Sequence, residues 1–349
     1  MQLRHFLLCL AATVVTVAVG VTAIGCSKSG ISDLVDVVDG VPRKDIDTSR
    51  LGINSFLNDS RFGTIEEQLS EVKDTLRLKY IRVLFQWDDK VQASKSASPN
   101  FSFYDAILSA VPDGIDVLVL LSGVPSWMYN PANFIDGNGR KTFVELWVKK
   151  VVERYKSNSK IIGFQIWNEP NDATNNDNIA LGIADGSEPS GAENYVELLA
   201  LAYSAIKDAA PGKLVIGAAT KTITQNYPHN LNYNKDMVSA GALNFMDIYA
   251  IHYYGKQFEN FVRDGGPKDF LNGLNKTIWV TETGKQGVNE QLAYGETVWP
   301  YLRDNLAGLD RIYVFQHTDA RGPDVGFGLR NLDPVFPVSD LYVFLRDRP

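Results

Sequence analysis

The chain has 349 residues, of which 45% are hydrophobic and 21% charged, so it carries enough apolar surface for one sizeable core, and wholesale disorder is excluded. A formal charge of −7 argues against nucleic acid or other polyanions as partners. The two cysteines, Cys9 and Cys26, both lie at the N-terminal end, which leaves the globular part without a disulfide.

Residues 1–25 read as an export signal: Arg4 and His5, an apolar stretch from Phe6 to about Val21, then Ala23, Ile24 and Gly25. The stretch resembles a bacterial lipoprotein signal, which implies cleavage before Cys26, a lipid on that cysteine and attachment to a membrane. Ala23 stands where such signals prefer Leu, so a plain signal peptide or an uncleaved anchor remains the alternative. Residues 26–50, rich in Asp, Ser and Gly, read as a tether, and residues 51–349 as one domain placed in the cell envelope or secreted.

Eight short apolar runs of the kind that form strands buried on both faces then recur along the chain. They are Leu51 to Phe56, Tyr80 to Phe85, Ile115 to Leu121, Ile161 to Trp167, Leu214 to Ala218, Met246 to His252, Thr277 to Thr281 and Arg311 to Phe315. Between them lie amphipathic helices. One opens at Thr64, with Glu67 at capping-box spacing and Ile65, Leu69, Val72 and Leu76 on one stripe. Others cover Lys141 to Tyr155, Ala192 to Ala209 before Pro211 and Gly212, and Gln291 to Leu306. Eight such alternations predict a single (β/α)8 TIM barrel of the α/β class. The rival, a doubly wound sheet, lacks support because no glycine-rich phosphate loop follows the first strand, in Asn54 to Phe62. The longest irregular stretches, Asn171 to Gly191 and Thr318 to Pro337, follow the fourth and eighth strands and are expected to wall the active-site face.

Two carboxylates close strands. Glu169 stands in Ile166-Trp167-Asn168-Glu169-Pro170-Asn171, where Pro170 is expected to keep Glu169 extended, and Glu282 in Ile278-Trp279-Val280-Thr281-Glu282-Thr283-Gly284. In a barrel both project into one mouth. A glycosidic bond needs an acid for the leaving oxygen and a carboxylate for the developing oxocarbenium ion, and this pair supplies both.

On these residues the chain resembles glycoside hydrolase clan A, and on Trp167-Asn168-Glu169-Pro170-Asn171 it resembles family 39, including its members acting on bacterial exopolysaccharides. The resemblance implies Glu169 as acid/base, Glu282 as nucleophile and Asn168 as a donor to the sugar 2-hydroxyl. It also implies that Arg82, in Ile81-Arg82-Val83, and Tyr254, in His252-Tyr253-Tyr254, hydrogen-bond the nucleophile. His252 then holds substrate or tunes the acid, unless it is a core imidazole. Trp127, in Gly123-Val124-Pro125-Ser126-Trp127, and Trp87 are candidate sugar-stacking floors, with core packing as the alternative. Where the clan often has a Trp at the eighth strand, this chain has Phe315-Gln316-His317, and either Phe315 or His317 is a candidate for that contact.

The expected activity is retaining hydrolysis of a β-linked poly- or oligosaccharide by a monomer. A transglycosylase using the same pair, and a non-catalytic carbohydrate-binding lipoprotein, are the alternatives. The chemistry requires no cofactor and no metal, and His5, His229, His252 and His317 show no ligand spacing of the H-E-x-x-H kind.

Overall fold

The computed structural model describes residues 40–186, 191–319 and 324–349. The signal-like segment, Cys26 and most of the tether fall outside the described residues. Eight parallel strands close into a barrel in chain order. They are β1 (Leu51–Asn54), β2 (Tyr80–Gln86), β3 (Asp116–Ser122), β4 (Ile161–Ile166), β5 (Leu214–Ile216), β6 (Ile248–Tyr254), β7 (Thr277–Gly284) and β8 (Leu309–Val314). Closure comes from β1 pairing with β8, Leu51 opposite Ile312. All eight predicted runs are strands, with shifted ends, and the barrel is the predicted one.

Alternation along each strand divides its side chains between two layers. Outward residues such as Ile81, Val83, Val119, Phe164 and Ile251 pack under the helices. The helix Ile65–Ser70 carries the predicted capping box, Thr64 and Glu67 each bonding the other's backbone, and buries Leu69, with Val72 and Leu76 following in the next turns. The longest helix, Ala192–Ala209, buries Tyr195, Leu198, Leu199, Ala202 and Ile206. Inward residues fill the barrel's lower half with Leu118, Ile216, Ile248, Ala250, Trp279 and Tyr313. Gly52 makes room there, because a Cβ on it would stand 2.7 Å from the Tyr313 ring. The upper half is polar, with Asn54, Arg82, Gln165, His252 and Glu282 all buried.

The tether ends earlier than expected. Ile46 is buried in the main core, the Lys44 amide donates to the Glu296 carbonyl at 2.9 Å, and Lys44 Nζ reaches Asp304 at 2.6 Å. Residues 43–50 therefore belong to the domain, docked along the helix Gln291–Asn305. One apolar side chain amid polar neighbours gave too little periodicity to reveal this.

Candidate active site

The site is built at the ends of β1, β2, β4, β6 and β7. On β6, residues two apart share a face, so His252 and Tyr254 both point into the barrel while Tyr253 is buried among the helices. The β6–β7 register shifts after Ile251, which sets His252 opposite Glu282. Glu282 is buried and receives three contacts. Arg82 Nη1 donates to Oε1 at 2.7 Å, the Tyr254 hydroxyl donates to Oε2 at 3.0 Å, and His252 Nε2 lies 3.5 Å from Oε1. Burial alone would raise the Glu282 carboxyl, but the charges of His252 and Arg82 and the two hydrogen bonds outweigh it and hold the group below the usual carboxylate range. Burial and the Glu282 charge push the Tyr254 phenol well up, so it stays a donor.

Arg82 is itself fixed. Its Nε donates to Gln165 Oε1 at 2.8 Å, its Nη1 to Asn54 Oδ1 at 2.6 Å and its Nη2 to Asn168 Oδ1 at 3.1 Å. Asn54 in turn donates to the carbonyls of Thr281 and Val314, so β1, β2, β4, β7 and β8 are tied through one guanidinium.

Glu169 lies at the end of β4 with Oε1 3.0 Å from His252 Nδ1. Its backbone corrects an expectation: rather than extended, Glu169 has φ 45° and Trp167 φ 74°. Pro170 disfavours the right-handed helical region but leaves the left-handed one open, and three hydrogen bonds select it. The Glu169 amide donates to the Ala219 carbonyl at 2.9 Å, while its carbonyl accepts from the Asp172 amide at 3.1 Å and from Asn178 Nδ2 at 3.0 Å. Asn178 also accepts from Trp167 Nε1 at 2.6 Å. Its buried carboxamide thus fixes the turn on both sides of Asn168.

One oxygen of Glu169, one of Glu282 and a ring nitrogen of His252 lie within 4.8 Å of one another. Both carboxyls line a cavity of about 580 Å³, together with Arg82, Asn168, Tyr254 and Phe315. Among the described residues this trio is the one group of three metal-ligand types in mutual reach. The guanidinium 2.7 Å from Glu282 already places positive charge where a cation would sit, so the donor set suits proton transfer between carboxyls better than a metal.

Three further candidates do not line this cavity. Trp87 is fully buried and stacks parallel to Trp147, as core. Trp127 is half-buried and lies outside the lining of this cavity: its ring meets Trp87 edge-on and its Nε1 donates to the Gln92 carbonyl at 2.8 Å. His317 faces Glu71, 3.0 Å away, where Arg330 and Tyr342 also converge. Phe315 is the residue that takes a place in the wall, against Tyr254 and Phe327.

A family model for cellulase (glycosyl hydrolase family 5) matches residues 45–309. The chain belongs to this family of glycoside hydrolases. It is therefore a clan A glycoside hydrolase, as the motifs implied, and its likeness among solved structures is chiefly to family 39. It is similar to a family 39 glycoside hydrolase from Bacteroides cellulosilyticus WH2, with TM-score 0.61 and 18% identity over 88% of this chain and 64% of that one. It is also similar to a monomeric β-xylosidase from Caulobacter crescentus CB15 (TM-score 0.60, 17% identity, 88% and 69% covered). A third likeness is to a family 1 β-glucosidase from Thermotoga maritima (TM-score 0.57, 13% identity, 87% and 98% covered). At such identities the likeness is one of fold. The glycoside hydrolase chain spans less than two thirds of the length of the Bacteroides enzyme. No curated protein matches it in sequence.

Sequence reasoning missed Asn54, which lines the cavity, and Gln165 and Asn178, which hold the site from outside it. Gln165 left a signal, a lone amide inside an otherwise apolar strand. Lys221, Thr222 and Gln225, which line the cavity after β5, left none.

Proposed function

We propose that this glycoside hydrolase cleaves a β-linked glycan with retained configuration, Glu282 acting as nucleophile and Glu169 as acid/base. The observation carrying this reading is the approach of the two carboxyls to within 4.8 Å across one cavity. Retaining enzymes use a spacing of about 5 to 5.5 Å between carboxyl groups, inverting ones roughly 6.5 to 9.5 Å.

Glu282, ionised by its neighbours, attacks the anomeric carbon from the face opposite the leaving group. As the new carbon–oxygen bond forms, the glycosidic bond breaks and Glu169 passes its proton to the departing oxygen. Glu169, now a carboxylate, takes a proton from water, whose oxygen attacks the same carbon and displaces Glu282. Asn168, on the cavity wall beside Arg82, is placed to meet a sugar hydroxyl.

Proton NMR of the sugar first released from an aryl β-glycoside tests the mechanism: the β anomer is expected, and initial α anomer overturns it. Glu282→Ala and Glu169→Ala should each lose several orders of magnitude in kcat/KM. The same reading includes export, with a lipid on Cys26 and the domain in the cell envelope as a monomer. Intact mass of the mature N-terminus tests this: a diacylglyceryl adduct is expected, absent in Cys26→Ala, and an unprocessed N-terminus overturns it.

A further inference from the structure

The cluster around His317 takes no part in the mechanism above. Glu71 follows the helix Ile65–Ser70, and its carboxylate accepts three hydrogen bonds. His317 Nε2 reaches Oε2 at 3.0 Å, Arg330 Nη1 reaches the same oxygen at 2.9 Å, and the Tyr342 hydroxyl, from the helix Asp340–Asp347, reaches Oε1 at 2.6 Å. Burial would raise the Glu71 carboxyl, but the bonds from His317 and Tyr342 and the charges of His317 and Arg330 outweigh it and hold it low. Such clusters contribute little net stability compared with apolar packing, so what this one supplies is the placement of the segments that meet in it.

His317 and Arg330 stand on the two legs of the long loop after β8, and the legs are zipped together. The Gln316 amide donates to the Phe327 carbonyl at 3.2 Å, the Leu329 amide to Gln316 at 2.8 Å, the Arg330 amide to His317 at 2.9 Å and the Asp319 amide to Arg330 at 2.7 Å. Gly328 allows this approach, since a Cβ on it would collide with the Asp319 amide and the Arg330 carbonyl. One carboxylate therefore pins both legs.

From the pinned legs two paths lead to Glu282. The His317 amide donates to the Asn54 carbonyl at 2.9 Å, and the Asn54 side chain accepts from Arg82 Nη1 at 2.6 Å. Phe327 sets its ring edge-on to Tyr254, with centroids 5.5 Å apart and 73° between the planes. Arg82 and Tyr254 are the two side chains that hydrogen-bond Glu282.

We propose that Glu71 and His317 are positioning residues for the nucleophile: their hydrogen bond holds the loop after β8 so that Arg82 and Tyr254, reached through Asn54 and Phe327, stay aimed at Glu282. The proposal rests on the reading of Glu282 as nucleophile and extends its support to two residues outside the cavity lining. Releasing the loop should lengthen the bonds to Glu282 and make its carboxylate easier to protonate. The loop also carries Asp324, whose negative charge would move away from Glu282 with the opposite effect. Asp324 is exposed and acts through solvent, so the donors at 2.7 and 3.0 Å decide the sign. The other charged groups at the cavity, Glu169 on β4, Lys221 after β5 and His252 on β6, are not carried by this loop.

The test is a pair of pH titrations on the full chain. One follows kcat/KM on 4-nitrophenyl β-glucoside, β-mannoside and β-xyloside; the other follows the glutamate carboxyls by carbon-13 NMR, where the Glu282 signal is the one missing from Glu282→Gln. His317→Leu, which removes the donor and keeps apolar bulk, should move the acid limb and the Glu282 midpoint up by roughly half a unit or more. His317→Gln, which keeps an N–H at the place of Nε2, should bring both back toward the wild type. If His317→Leu does not fold, Glu71→Gln, nearly the same shape, should move both in the same direction by less. Val72→Ala, next to Glu71 but fully buried in the core, should lower the melting temperature and leave both in place. A Glu282 midpoint unmoved by His317→Leu and Glu71→Gln, moved as far by Val72→Ala, or not brought back by His317→Gln overturns the proposal. The NMR titration needs no turnover, so a chain that cleaves none of the glycosides yet shows the shift loses the hydrolase reading and keeps the positioning role.

Discussion

His252 stands between the two carboxyls, with Nδ1 3.0 Å from Glu169 Oε1 and Nε2 3.5 Å from Glu282 Oε1. The first separation is a hydrogen bond; the second is too long for a good one and acts through charge. Across the proposed cycle Glu169 gives up a proton and regains it, and Nδ1 stands at hydrogen-bond distance from one oxygen of that carboxyl. Replacing His252 by Ala should lower kcat/KM by roughly 100-fold on a substrate with a poor leaving group. On an activated aryl glycoside, which needs little protonation, the loss should be smaller. Steady-state kinetics on the two substrates decide the matter, and equal losses would reduce His252 to a packing role.

The Tyr254 hydroxyl is one of two side-chain donors on Glu282, and it comes from the same strand as His252. Tyr254→Phe removes that donor while keeping the ring against Phe315 and Phe327. Loss of a hydrogen bond to a charged group should lower kcat/KM by about tenfold or more. The acid limb of its pH profile should move to higher pH, because Glu282 becomes easier to protonate. An unmoved limb would separate Tyr254 from the ionisation of Glu282.

Glu282 also ties stability to pH. Its carboxyl is held below the ordinary value in the folded chain, so between the folded and unfolded values the native state binds fewer protons than the unfolded one. That contribution is present above the unfolded value and lost as pH falls through the folded one. From about pH 6 to 3, the melting temperature of Glu282→Gln should therefore fall less steeply than that of the wild type. Parallel curves would contradict the ionised state assigned to Glu282.

Asn178 is buried, and its carboxamide bonds Trp167, Glu169 and Asp172. Asn178→Ala should cost about 2 to 3 kcal/mol in stability, since it leaves a buried indole N–H and two carbonyls short of partners. It should also depress kcat through Glu169, whose left-handed backbone loses a restraint. Denaturant unfolding and kinetics on the same preparation check both effects, and a stable variant with wild-type kcat would refute the role.

Gly284 ends β7 two residues beyond Glu282, and a Cβ there would run into the Phe315 carbonyl. The obstacle is backbone, so the strands must part to admit even a methyl group. Gly284→Ala should destabilise by about 1 to 3 kcal/mol and raise KM, because Phe315 forms the cavity wall. Wild-type KM in a destabilised variant would detach the wall from the strand end.

The barrel was legible because its strands are short, apolar and regularly spaced. The carboxylate pair of the proposed mechanism was legible because Asn168-Glu169-Pro170 and Thr281-Glu282-Thr283 each close such a run. What stayed hidden is three-dimensional. Asn54 and Gln165 are distant in sequence and meet only through Arg82. The docking of Ile46 depends on one side chain against a helix some 250 residues later in the chain, beyond the reach of local periodicity. Trp87 and Trp127 show the converse error, since an indole after a strand serves equally as sugar platform or as packing, and only its neighbours tell which.

The docking of residues 43–50 also places that segment relative to the mouth. These residues lead into β1 at the foot of the barrel, and the catalytic mouth opens at the opposite end of the strands. A long polymer approaching the mouth therefore meets the strand ends and their loops, while residues 43–50 stand clear at the far end of the barrel.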